Sequence, residues 1–218
     1  MPGVHAVRML RNRGTDRRLA VIDSYEIPAS VRSRFSFHYP DLSEGDVRTA
    51  EAGTRQWFRL VARSPKAQLA MPSTVVDDMW HELVLHTREY AEFCDSAFGR
   101  FLHHTPESAM TESAASANRG SGLAVTYRLA KQDEPGRMPL LFRVDGELGV
   151  DGGRHYLADC GGRGRCFEMP GVVCLEHIGG TGKAYRAPWS RDRAADSPTN
   201  YPEGGGMPGC GGGGCGGN

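Results

Sequence analysis

With 218 residues, and 26 Lys+Arg balancing 26 Asp+Glu, the chain is long enough to bury one or two hydrophobic cores, and it carries no net field that would draw it to nucleic acid or anionic lipid. No apolar run approaches the ~20 residues needed to span a bilayer, and the arginines near the N-terminus are followed by no apolar stretch of the secretory type. A cytoplasmic protein without a membrane or nucleic-acid partner is therefore expected, in which the six cysteines read as thiols or metal ligands rather than as a disulfide framework.

Residues 1–16 are basic and Gly-containing and read as a flexible lead-in. A helical domain over 17–132 opens with the apolar Leu19, Val21, Ile22 and Tyr25. Pro28 suits a helix start, Ile27, Val31 and Phe35 share one face, and Tyr39-Pro40 ends that helix. Ser43 with Asp46 three residues on marks the next N-terminus. Val47, Ala50, Thr54, Trp57, Phe58 and Val61 follow at spacings of three or four and carry the helix to Ala62, with the aromatic pair assigned to the core.

The stretch 72–106 is the richest in groups able to do chemistry. Thr74 reads as an N-cap with Asp77 as its capping-box partner. Val76, Trp80, Leu83, Val84, Thr87, Tyr90, Ala91, Cys94 and Phe98 then share one broad face, which predicts a single long core helix stopped by Gly99. Thr105-Pro106 marks a new start, residues 107–122 end in a Gly/Ser-rich loop, and Leu123 to Lys131 fit a short helix.

Beyond Pro139 the apolar run Leu140 to Val144, with the turn dipeptides Asp145-Gly146 and Asp151-Gly152, predicts a small β-rich or irregular subdomain within 133–180, packed on the helices. From residue 188 onward there is no apolar periodicity, and this Gly/Cys-rich tail is expected to be disordered. The expected fold class is mainly α, a helical domain with a small β-rich or irregular C-terminal subdomain and a disordered tail.

The pattern Asp77, Trp80-His81, Thr87, Tyr90, Phe93-Cys94, Gly99 and His103-His104-Thr105-Pro106, continued by Pro139-Leu140-Leu141-Phe142 and Gly152-Gly153…Tyr156…Cys160, resembles the bacterial branch of the glycine-rich domain-containing protein-like family. The resemblance spans roughly residues 20–175 and implies no particular activity. The RNA-recognition-like motif described for plant relatives has no counterpart in this sequence, so no RNA role is carried over.

Three sets of residues have the composition of a metal or catalytic site. Asp77 lies one helical turn before His81, and a carboxylate-oriented neutral imidazole serves as a metal ligand or general base; equally, Asp77 can cap while His81 borders the core. Cys94, His103 and His104 form a candidate zinc or copper site of three ligands, although Cys94 falls inside the apolar face, where a thiol acts as a small hydrophobe. Cys160, Cys166, Cys174 and His177 supply four soft ligands for a structural zinc, at spacings wider than a usual zinc knuckle. Cys210 and Cys215 in the tail can capture a soft metal or oxidise.

An unbroken helix keeps the first two sets apart. His81 to Phe98 spans roughly 25 Å at 1.5 Å per residue, more than the loop to His104 can return. Two separate spots follow, unless the helix breaks near Leu85. With no complete catalytic set, the leading expectation is a non-enzymatic module that binds a protein partner, with a divalent metal such as zinc and with homodimerisation open. The alternative is a metal-dependent enzyme using Asp77 and His81.

Overall fold

The computed structural model describes residues 3–105, 111, 121–158, 172–175 and 177–178. Among these, seven helices and two short strands make a mainly α fold. In chain order they are α1 (Gly3–Ser24), α2 (Ala29–His38), α3 (Glu44–Arg63), α4 (Thr74–Leu85), α5 (Thr87–Phe98), α6 (Leu123–Ala130), α7 (Leu140–Leu148), β1 (His155–Leu157) and β2 (Val172–Cys174). No helix among them is long and apolar enough to cross a membrane. The expected disordered tail, with Cys210 and Cys215, lies outside the described residues.

The central element is α3, which packs against α1, α4, α5, α6 and α7. Its start is the capping box expected from the sequence. Ser43 Oγ accepts from the Asp46 N–H, and Asp46 accepts in return from the Ser43 N–H at 2.9 Å, so two otherwise unpaired donors are satisfied. Trp57, Phe58 and Val61 are buried, as their spacing predicts. At Gly53 the backbone of α3 lies close against α4, since a Cβ there would stand 2.7 Å from Val76 Cγ2.

Ionic pairs lock α2 onto this frame. The buried carboxylate of Glu51 on α3 pairs with Arg32 and Arg55, and that of Glu82 on α4 pairs with Arg34 and His38. Buried carboxylates of this kind persist only when paired.

Three stretches differ from the sequence-based expectation. Residues 3–16, expected as a flexible lead-in, belong to α1. Ala, Arg, Met and Leu form helix readily, and the segment leads directly into Ile22, which is fully buried. The long helix expected to run to Gly99 is two helices that meet at His86. Within the region expected to be β-rich or irregular, Leu140–Leu148 is a helix, with Asp145-Gly146 inside it rather than at a turn. The first donors of this helix are taken up from outside: the Leu140 N–H donates to Glu134 Oε1 and the Leu141 N–H to Gln56 Oε1. Leu141, Phe142 and Val144 enter the same core as α3 and α4. The two strands pair in parallel, His155 opposite Val172 and Leu157 opposite Cys174.

Candidate metal centre

The first turn of α4 is fixed from two sides. Its cap is Ser73, whose Oγ accepts from the Val76 N–H at 3.0 Å, one residue earlier than the expected Thr74. Facing it is the buried carboxylate of Asp145 on α7, which accepts from the Thr74 N–H at 2.8 Å, the Val75 N–H at 3.3 Å and the Ser73 hydroxyl. A negative charge is favourable there because the unpaired donors and the positive end of the helix dipole coincide. The same carboxylate accepts from the Arg154 N–H at 2.8 Å, so the segment before β1 is tied to the start of α4 as well.

One turn further on, Asp77 and His81 share a face. His81 Nδ1 lies 3.8 Å from Asp77 Oδ2 and 3.9 Å from Asp78 Oδ1. Asp78 accepts in turn from the hydroxyl of Tyr39. Burial, and then that carboxylate, push the Tyr39 phenol well above its ordinary value, so it stays protonated and donating.

The break at His86 completes the group. Its backbone, at φ −86° and ψ 64°, leaves the helical region, and its N–H turns to Leu83 O. The Glu82 carbonyl thus released accepts from His86 Nδ1 at 3.0 Å, which leaves Nε2 to accept from the Ser30 hydroxyl at 2.9 Å. After the break, the chain that leaves α5 returns to the first turns of α4. Gly99 caps α5 at φ 69°, a conformation suited to glycine. The return is pinned by a buried chain: Trp80 Nε1–H donates to Tyr90 Oη at 2.9 Å, and the Tyr90 hydroxyl donates to Leu102 O at 2.7 Å.

His104 therefore drops onto α4 in the groove formed by residues 77, 80 and 81. Its ring meets Trp80 edge-on at 4.4 Å and lies 4.1 Å from the ring of His81, and its Nε2–H donates to Asp77 Oδ1 at 2.8 Å. One ligand atom each from Asp77, His81 and His104 then lie within 4.8 Å of one another, a grouping able to hold a metal ion. The His104 side chain is 7% exposed against 40% for His81, so the group runs from core to surface.

Asp77 and His104 also line a cleft of about 270 Å³. Its walls are apolar where Trp57, Leu69, Met71 and Leu102 contribute, and cationic at Arg100 and Arg154. Arg154 reaches the cleft with one guanidinium N–H donating to Met71 O at 2.6 Å.

The sequence-based sets are thus regrouped. Asp77 and His81 are joined by His104, and the expected separation into two spots falls with the helix break. Cys94 and His103 stand outside this group. Cys94 is buried in the core, where burial raises its thiol pKa and its partners are Tyr90 and Leu102, while His103 is exposed and stacks near Phe101 at 5.0 Å. Cys174 is a buried free thiol, and the His177 N–H donates to its carbonyl at 3.1 Å; Cys160 and Cys166 lie outside the described residues. Asp145, read as a turn residue, is the anchor of the helix that carries the site.

A family model described as UCP032817-like matches residues 17–178, about three quarters of the chain, and the chain belongs to that family. This corrects the resemblance to glycine-rich domain-containing proteins. Of the residues that carried it, Trp80, Tyr90, Phe93, Cys94 and Gly99 are core and helix-cap positions, whereas Asp77, His81 and His104 form the cluster described above. No curated protein and no solved structure matches the chain.

Proposed function

We propose that this member of the UCP032817-like family binds one divalent transition-metal ion through Asp77, His81 and His104 and acts as a metal-dependent enzyme at the adjoining cleft. The observation that carries this reading is the convergence of two imidazoles and one carboxylate, from a helix and a distant loop, at the wall of a cleft. These three side chains would hold the ion, their ligand types suit zinc, and the ion would supply a Lewis acid able to polarise an oxygen or lower the pKa of water.

The chain's own residues supply the rest. Asp78, held by Tyr39, faces His81 Nδ1 and biases the orientation of that ring. Trp80 sets the plane of His104, and the cleft walls limit water. For Nε2 of His104 to hold the ion, the proton that it donates to Asp77 has to leave that nitrogen, as in a change of tautomer to Nδ1–H.

One observation favours a second reading. The Nε2–Oδ1 separation of 2.8 Å is a hydrogen-bond length, whereas a tetrahedral zinc holds its donors roughly 3.3 Å apart. In this reading Asp77 and His104 are a permanent clamp that fastens the loop, with no ion. A partner-binding module has less support: among the described residues the exposed large hydrophobics Phe37, Leu85, Phe101 and Val173 sit on four different segments.

Zinc titration of the wild-type chain and of Asp77→Ala, His81→Ala and His104→Ala separates these readings. The metal reading expects one tight equivalent that each substitution weakens by about tenfold or more. The clamp reading expects equal zinc binding in all four proteins, with lower stability in Asp77→Ala and His104→Ala.

A further inference from the structure

We infer that the cleft beside Asp77 and His104 takes a small amphipathic oxyanion, a carboxylate or phosphate-type head on an apolar body of about one ring. This rests on the metal reading for one of its contacts and extends it to the ligand class.

The charged side chains lining the cleft are Asp77, Arg100 and Arg154. Two guanidiniums against one carboxylate leave the charge lining the cleft positive before any ion arrives, and a divalent ion would add to it. Arg100 and Arg154 come from separate stretches of the chain and line the same cleft as Asp77 and His104, and guanidinium suits the planar or tetrahedral oxygens of a carboxylate or phosphate. Arg154 is held in place by its bonds to Met71 O and, through its backbone, to Asp145.

Trp57 lines the cleft, and its buried Nε1–H meets no acceptor among the described residues. Indole nitrogen can only donate, and this one is closed off from solvent, so it is a donor left without a partner inside the wall rather than a contact open to a ligand. One part of the wall, with Trp57, Leu69, Met71 and Leu102, is apolar and gives a hydrophobic body a surface that a bare inorganic anion would not use, while Ser64, His103 and Thr105 are polar. A volume of about 270 Å³ lies at the small end for ligand pockets, which restricts that body to one ring or a short chain.

Isothermal titration of the zinc-loaded full chain with phenylphosphonate, phenylacetate and neutral phenylacetamide tests the inference. Binding of at least one anion is expected, about tenfold or more tighter than the amide, and weakened about tenfold in Arg100→Gln. Arg100 is exposed and outside the metal ligands, so that variant should keep its melting temperature and its zinc affinity. Preference between the two anions identifies the head group. Equal binding of the amide, or no anion binding to a chain that does take up zinc, overturns the inference while leaving the metal reading in place. If zinc does not bind, anion affinity that still depends on Arg100 upholds the anion-binding cleft without the ion, and its absence removes both.

Discussion

His104 Nε2–H donates to Asp77 Oδ1 at 2.8 Å across 27 residues of sequence, and this single bond closes the loop after α5 onto the first turns of α4. Two other features make it geometrically available. The break at His86 lets the chain return, and the Trp80–Tyr90–Leu102 chain fixes where it lands.

Tyr90→Phe should therefore act on both stability and the site. It strands the buried Trp80 N–H and the Leu102 carbonyl, at a cost of about 1–3 kcal/mol in urea unfolding. Zinc affinity should fall about tenfold as His104 loses its placement. Lower stability with unchanged zinc affinity would show that the chain supports the fold but not the site.

Asp145→Ala removes the acceptor for four donors at the start of α4 and before β1. A loss of about 3 kcal/mol or more is expected, with a smaller loss for Asp145→Asn, which keeps an acceptor in place. Chemical denaturation of the two variants checks this, and a change under about 1 kcal/mol for the alanine would contradict the anchoring role.

At Gly53 a methyl group would stand 2.7 Å from Val76 Cγ2, closer than van der Waals contact. Gly53→Ala should destabilise the α3–α4 contact by about 1–3 kcal/mol, and Val76→Ala in the same chain should recover part of the loss. A double mutant whose cost equals the sum of the two singles would mean that α3 and α4 do not meet as described.

Acid sensitivity should be concentrated at Glu134. Burial alone pushes its carboxyl up, but the Leu140 N–H, Gln56, Arg143 and Arg137 outweigh it and hold the pKa at about 2, below the ordinary 4.5. The folded value is the lower one, so the contribution is complete above about pH 4.5 and is lost as pH falls towards 2. Urea midpoints followed over that window should drop more steeply for the wild type than for Glu134→Gln, and parallel curves would rule this out.

Much of the helical frame is legible in the sequence, because α2 and α3 carry their signals locally: Pro28 with Val31 and Phe35, and Ser43 with Asp46. The site is not, because its geometry depends on the interruption at His86. Val76, Trp80, Leu83, Tyr90 and Cys94 keep one helical period across that point, and no Pro or Gly marks it. What holds the break is tertiary, with the His86 ring between the Glu82 carbonyl and Ser30 from another helix. A local trace exists in Glu89, an acid in the first turn of α5, and in Leu85, an apolar residue left 62% exposed at the end of α4. Asp145 escaped for a similar reason, since Asp-Gly suggests a turn until the first donors of α4 are seen to need a carboxylate.

The most direct measurement of the central claim is zinc K-edge X-ray absorption on the chain loaded with one equivalent. The account predicts nitrogen and oxygen ligands at about 2.0–2.1 Å, an imidazole signal from two histidines, and loss of one imidazole in His104→Ala. Sulfur at about 2.3 Å, from the cysteines outside this cluster, or a spectrum unchanged by His104→Ala, would contradict it.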